Sequence, residues 1–103
     1  MTDKNKILDI AMNLNRVGNW AADDYIGKKD RIRTFLANTT GYLANIDRTV
    51  LPAPFACTFL SFTDEYKTLE DEGNKGPKDP VIWAEKMMTW GNILTHRSKL
   101  LDL

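Results

Sequence analysis

Residues 55–69 read FACTFLSFTDEYKTL, and the spacing of their apolar side chains decides the fold. Aromatic or aliphatic residues stand at positions 55, 59, 62, 66 and 69, three or four residues apart. That spacing places them on one face of an α-helix, whereas a half-buried strand would alternate every second residue. The stretch therefore predicts an amphipathic helix that buries a mostly aromatic stripe.

Three further segments carry stripes of the same helical period, and none shows the alternation of a strand. The segments are separated by helix-breaking residues: Gly27, the pair Pro52 and Pro54, and the stretch 73–78. The stripes are Ile7, Ile10, Leu14, Val17 and Ala21; Ile32, Phe35, Thr39, Tyr42 and Ile46, flanked by Leu36, Leu43 and Val50; and Trp83, Met87, Trp90 and Leu94, with Leu101 further on.

We therefore predict an all-α fold, a four-helix bundle of antiparallel up-and-down topology, in a single domain over residues 1–103. The helices are predicted over about residues 3–24, 29–49, 55–71 and 80–101, with an exposed loop over 72–79. Thr2 or Asp3 is expected to cap the first helix, and Asp79 the fourth. The short loops favour the up-and-down order, although three helices and a broken arm would also satisfy them.

The charge balance and the cysteine content restrict the function. Fourteen basic side chains offset fourteen acidic ones, so no net field attracts the chain to nucleic acid or to an anionic membrane. The longest mostly apolar stretch, Val50–Leu60, is about half a membrane span and contains two prolines. A single cysteine and the lack of a secretory signal pattern lead us to expect a cytoplasmic protein.

No catalytic or cofactor-binding motif stands out, so we expect neither an enzyme nor a cofactor. The sequence has no phosphate-binding glycine loop, no dinucleotide fingerprint and no nucleophile elbow. One cysteine, Cys57, and one histidine, His96, cannot supply the three or four ligands of a zinc site. Cys57 lies in an apolar run and is expected to be a buried, inert thiol.

The stretch His96-Arg97-Ser98-Lys99 is the one short motif with a chemical mechanism. It resembles the His-x-x-Lys of histidine phosphotransfer domains, which are four-helix bundles. The resemblance implies that an exposed His96 accepts a phosphoryl group and that Lys99 helps to neutralise it. The sequence departs from that family in Leu100, which stands where a small glycine usually follows, and in the position of the motif near the chain's end. The alternative is a histidine that faces solvent at a helix terminus.

Two functions follow from these observations. The first is a small non-enzymatic interaction or assembly module, a homo-oligomer with a dimer favoured, or a module that binds another protein. Leu8, Met12 and Trp20 are its predicted interface, because they are apolar and lie beyond the main stripe of the first helix. The alternative is a ligand-binding or phosphotransfer bundle that uses either His96 or an aromatic interior. The residues of that interior would be Phe59, Phe62, Trp83, Met87 and Trp90.

Overall fold

The computed structural model describes residues 3–102, which form four α-helices and no strand. Helical residues make up 87% of this part of the chain, which confirms the predicted all-α fold. The helices are α1 (Asp3–Asp24), α2 (Lys29–Ala44), α3 (Ala53–Lys75) and α4 (Pro80–Arg97). Two 3₁₀ turns follow α2 and α4, at Arg48–Val50 and Ser98–Asp102. Thr2, one of the two predicted caps of α1, lies outside the described residues.

Each helix is antiparallel to the next one along the chain, and α4 packs back against α1. Between α1 and α2, Lys6 Nζ donates to the carbonyl oxygen of Asn45 at 3.1 Å near one end of the bundle. Towards the other end, the rings of Trp20 and Phe35 meet edge to face with their centroids 4.9 Å apart. Residue numbers therefore rise along α1 as they fall along α2. The result is the predicted up-and-down four-helix bundle.

The core contains the predicted stripes of α1 and α3 in full, since all ten side chains are buried. The stripe predicted for α2 is partly wrong. Ile32, Thr39 and Ile46 are buried together with Leu36, but Tyr42 is 39% exposed and Phe35 is only partly buried. Leu36 points about 100° away from Phe35 around the helix, and since Ile32 and Thr39 belong to both faces, the centre of the buried face turns by about 50°.

The predicted ends of the second and third helices are also wrong. The second helix stops at Ala44 rather than at residue 49, and Asp47 then caps the 3₁₀ turn by accepting a bond from the Thr49 amide at 2.9 Å. The third helix continues to Lys75 and ends at Gly76, whose φ of 99° suits glycine alone. Gly73, interpreted from the sequence as part of a loop, is buried inside α3. The exposed loop is therefore shorter than the predicted 72–79.

The start of α4 lies where it was predicted. The carboxylate of Asp79 accepts bonds from the amides of Val81 and Ile82, both at 3.1 Å. These amides belong to the first turn of α4 and have no partner within the helix, so the side chain supplies one. Pro80 occupies the first helical position, where its missing N–H costs nothing. The fourth helix ends at Arg97, and the predicted last turn to residue 101 is 3₁₀ instead.

The helices meet at two kinds of seam, one tight and one wide. Where α1 meets α4, Gly18 lies against the side chain of Met88 and the carbonyl of Ala84, so the two backbones approach closely. Where α3 meets α4, the large rings of Trp83 and Trp90 stand between the helices. Gly18 thus allows α1 to pack closely on α4, whereas the rings hold α3 further from α4. In the described part of the chain, no helix is both long and apolar enough to span a membrane.

Candidate interaction surfaces

The outer surface of the tight α1–α4 seam contains very few charges. On α1, Leu8, Met12, Asn15 and Asn19 follow one another at steps of four, three and four residues, so they form one stripe. On α4, the matching stripe is Val81, Met88, Asn92 and Thr95, and Glu85 stands between the first two at the same spacing. We call the eight uncharged residues the α1–α4 face. The two stripes adjoin because the side chain of Asn15 lies over Gly91 and that of Met88 lies against Gly18.

Several apolar side chains on the α1–α4 face are open to solvent. Met12 is 47% exposed and Val81 is 52% exposed, while Leu8 and Met88 are half-buried. Glu85, one turn from both Val81 and Met88, is the one carboxylate on the α4 stripe. Charge depletion together with exposed methionine is the composition that marks the centre of protein–protein interfaces.

Trp20, the third residue of the predicted interface, lies on the opposite flank of α1. Its ring packs against Phe35 of α2, and the guanidinium of Arg31 lies 5.2 Å from the ring centre. Arg16 covers the other side of this contact, 5.9 Å from the Phe35 ring centre. The structure therefore brings Leu8 and Met12 together, whereas Trp20 belongs to the packing of α1 on α2.

The wide α3–α4 seam leaves a surface groove. Two adjoining depressions of about 560 Å³ and 360 Å³ share Trp90 and Ile93, so they form one continuous trough. We call it the α3–α4 groove; its walls are Thr58, Ser61 and Glu65 of α3 and Ile82, Trp90 and Ile93 of α4. Its apolar floor is partly open, with Ile82 52% exposed.

Charges of both signs border the α3–α4 groove at different heights. His96 and Arg97 lie at the end nearest the start of α3, Glu65 lies near the middle, and Glu85 and Lys86 lie towards the Ile82 end. Glu65 accepts a hydrogen bond from the Trp90 indole at 3.0 Å. Arg97 and Glu85 form no ion pair with any residue of the range 3–102. Their charges are thus open to a binding partner.

His96 is exposed near the end of α4 and contributes to the wall of the α3–α4 groove. Arg97 follows it on the helix, but Lys99 lies beyond the last α-helical residue, in the 3₁₀ turn. The spacing of His96 and Lys99 is therefore not that of one continuous α-helical turn. Leu100, the departure from the phosphotransfer pattern, is half-buried against the core.

The aromatic interior is closely packed. Phe59, Phe62 and Trp83 are each no more than 2% exposed, and the ring centres of Phe59 and Phe62 are 6.4 Å apart. Phe62 in turn lies 5.5 Å from the ring centre of Trp90. A ligand in this interior would have to displace rings that already contact each other. Cys57, expected to be buried, is exposed, because it points away from the stripe on which Phe55 and Phe59 lie.

The sequence analysis missed three residues of these surfaces: Ile82 and Ile93 of the α3–α4 groove, and Met88 of the α1–α4 face. The signal was present, since all three are apolar and lie outside the main stripe of α4. The same argument had identified Leu8 and Met12 on the first helix.

Comparison of the chain with protein-family models, with curated proteins and with solved structures finds no match in any of the three.

Proposed function

We propose that this protein is a small non-enzymatic assembly module that pairs with a second copy of itself through the α1–α4 face. The observation that carries the proposal is the charge-poor character of this face, with Met12 and Val81 about half exposed. Two copies related by a twofold axis would bring the same patch together on both sides. Each exposed methionine or valine would then leave water, while the Glu85 carboxylate would stay at the solvated rim of the contact.

The size of the molecule supports a dimer that uses the whole face. The bundle measures 41 × 20 × 18 Å, so one long side has an area of about 800 Å². A typical stable interface buries about that area on each partner. Contact over the full length of α1 and α4 would therefore reach the usual size, whereas contact through Leu8 and Met12 alone would not.

Sedimentation velocity at micromolar concentration tests the proposal. We expect the wild-type protein to be a dimer, and Met12→Glu and Asn19→Glu to give folded monomers, because each places a carboxylate in the apolar contact. Ala37→Glu is the matched control, since Ala37 is an exposed position on the outside of α2. Circular dichroism verifies that all three variants remain helical. A monomeric wild type, or a Met12→Glu variant that still pairs, would refute self-assembly through this face.

A cytoplasmic location belongs to the same proposal. The sequence contains one cysteine, Cys57, and its thiol is exposed on α3. An exposed free thiol persists in a reducing compartment and is open to oxidation elsewhere. Fractionation of cells that express the tagged protein tests this point.

A second candidate function, phosphoryl acceptance by His96, is favoured by the exposure of its imidazole beside Arg97. With phosphoramidate as donor, the phosphoryl group would move from the donor nitrogen to an imidazole nitrogen, and ammonia would leave. Intact-mass analysis would then show one added phosphoryl group that is lost in acid and absent from His96→Gln. An unmodified wild-type protein, or equal modification of His96→Gln, would eliminate this candidate.

A further inference from the structure

The α3–α4 groove has the form of a docking site for a helix. From Ile82 to Arg97 it follows α4 for about 22 Å, the length of a helix of about 15 residues. Its floor is apolar at Ile82, Trp90 and Ile93, and its walls carry hydroxyl and charged groups. An amphipathic helix fills a groove of this kind with side chains spaced three or four residues apart.

The charges that border the groove specify the chemistry of the occupant. Arg97, exposed and without an ion pair in the described chain, lies at one end, and the Glu65 carboxylate lies near the middle. Towards the Ile82 end, the opposite charges of Glu85 and Lys86 stand side by side. A complementary helix carries acidic residues at the end that meets Arg97 and basic residues about two turns further along. We propose that the α3–α4 groove binds an amphipathic helix of a different protein with this arrangement of charges.

The groove is already open, so binding requires little rearrangement. The Trp90 ring is fixed from two sides, by the hydrogen bond from its indole to Glu65 at 3.0 Å and by Phe62, whose ring centre is 5.5 Å away. A fixed aromatic wall loses little conformational entropy when a partner docks. Rings of this type also contribute much of the binding energy at protein interfaces.

A second copy of the chain is a poorer occupant than a separate helix. Two grooves placed face to face would leave a void between their floors, because both surfaces are concave. Under the α1–α4 face the two helices pack closely at Gly18, so this face offers no single projecting helix that would enter the groove. Placing one copy's helix in another copy's groove would also be a head-to-tail contact, which builds rings or filaments and not a closed dimer.

Chemical-shift mapping with a synthetic peptide tests the proposal on the full-length protein. The probe is an acetylated and amidated peptide of about 16 residues. It carries leucines three and four residues apart, two glutamates in its first turn and two lysines near its middle. A matched peptide has the same composition with the glutamates and lysines exchanged. We expect the first peptide to shift the Trp90 indole and the amides of Ser61 and Ile93, and to bind about fivefold tighter than the second.

Two neighbouring positions provide a matched pair of variants. Ile82 and Val81 are each 52% exposed, but Ile82 lines the groove and Val81 belongs to the α1–α4 face. We expect Ile82→Glu to weaken peptide binding by at least about tenfold, and Val81→Glu to leave it unchanged. Arg97→Glu should reverse the preference between the two peptides. Because Val81→Glu, and not Ile82→Glu, should affect self-association, failure of the dimer and failure of the groove are distinguishable.

Any of four outcomes would overturn the proposal. The first is an absence of shifts with either peptide at about 1 mM, where even weak helix docking is visible. The second is a set of shifts centred on Met12 instead of Trp90. The third is unchanged binding by Ile82→Glu. The fourth is a wild-type dimer that Ile82→Glu dissociates and Val81→Glu does not, which would show that a second copy occupies the groove.

Discussion

The ring of Trp83 packs directly against the backbone of Gly73, so that a methyl group there would come within 2.5 Å of the ring carbon Cζ2. Trp83 cannot move aside easily, because it is 2% exposed and its indole donates to the carbonyl oxygen of Leu69 at 2.9 Å. Glycine is thus required at position 73 by its neighbour, although nothing in the local helix geometry of α3 requires it.

We predict opposite signs for the same substitution at two helical glycines. Gly73→Ala gains about 1 kcal/mol of helix propensity but overpacks the core by about 1–3 kcal/mol, so it should lower the free energy of unfolding. Gly41→Ala is the control, since a methyl group at Gly41 meets no atom within 4 Å. It should raise that free energy by up to about 1 kcal/mol. Urea unfolding measures both, and a stabilised Gly73→Ala would contradict the packing described here.

The cap of α4 gives a second prediction. Asp79→Ala removes the acceptor of the Val81 and Ile82 amides and should cost about 1 kcal/mol of unfolding free energy. Asp64→Ala removes an exposed carboxylate from the middle of α3 and should change it by less than about 0.5 kcal/mol. Equal urea midpoints for the two variants would mean that the cap contributes nothing.

The aromatic stripe of α3 gives a third prediction. Phe59→Ala or Phe62→Ala should lower the unfolding free energy by about 3–5 kcal/mol, because both side chains are buried among other rings. Leu60→Ala, on the same helix but 53% exposed, should cost less than about 1 kcal/mol. Thermal unfolding followed by circular dichroism measures the series. A loss below about 1 kcal/mol at both phenylalanines would place the stripe outside the core.

Alkaline pH should weaken the fold through Tyr66. Burial raises the pKa of the Tyr66 hydroxyl, which donates to the carbonyl oxygen of Leu36 at 3.0 Å. The contribution of the neutral phenol to stability is complete below about pH 10, the pKa of tyrosine in an unfolded chain. Above that pH the unfolded chain loses the proton first, so the free energy of unfolding falls by up to about 1.4 kcal/mol per pH unit.

Urea unfolding across pH 8–11 measures this slope. Tyr66→Phe should flatten the alkaline decline, although it costs about 1 kcal/mol at neutral pH through the lost hydrogen bond. Tyr42→Phe removes a tyrosine that is 39% exposed and should leave the decline as in the wild type. If the slope of Tyr66→Phe matched that of the wild type, Tyr66 would not be the titrating group.

The sequence predicted those features of the fold that depend on the residues of a single helix. The period of the stripes gave the helices, the buried faces of α1 and α3, and the cap at Asp79. It could not choose between Phe35 and Leu36 on α2, because both are apolar and each, pointing about 100° from the other, completes a stripe with Ile32 and Thr39. Gly73 was misinterpreted as a loop residue for a related reason, since the ring that requires a glycine there belongs to another helix.

The same contrast, between features set by one helix and features set by two, applies to the candidate surfaces. Leu8 and Met12 could be found from α1 alone, as apolar residues beyond its buried stripe. The α3–α4 groove could not, because the width of a seam depends on side chains from both helices, such as Trp90 on one seam and Gly18 on the other. Trp20 was assigned to the outer surface because its partner, Phe35, lies on a different helix.

The close packing of α1 on α4 also constrains how the molecule is made. The helix pair with the most extensive contact is the first and the last in the sequence. During synthesis, the buried face of α1 has to wait until Met87 and Leu94 of α4 have left the ribosome. The packing of α4 on this face brings together segments that are far apart in sequence. The folding rate should therefore be lower than that of a bundle stabilised mainly by helices adjacent in sequence. Until α4 has been synthesised, Ile10 and Leu14 remain exposed to solvent or to a chaperone bound to the nascent chain.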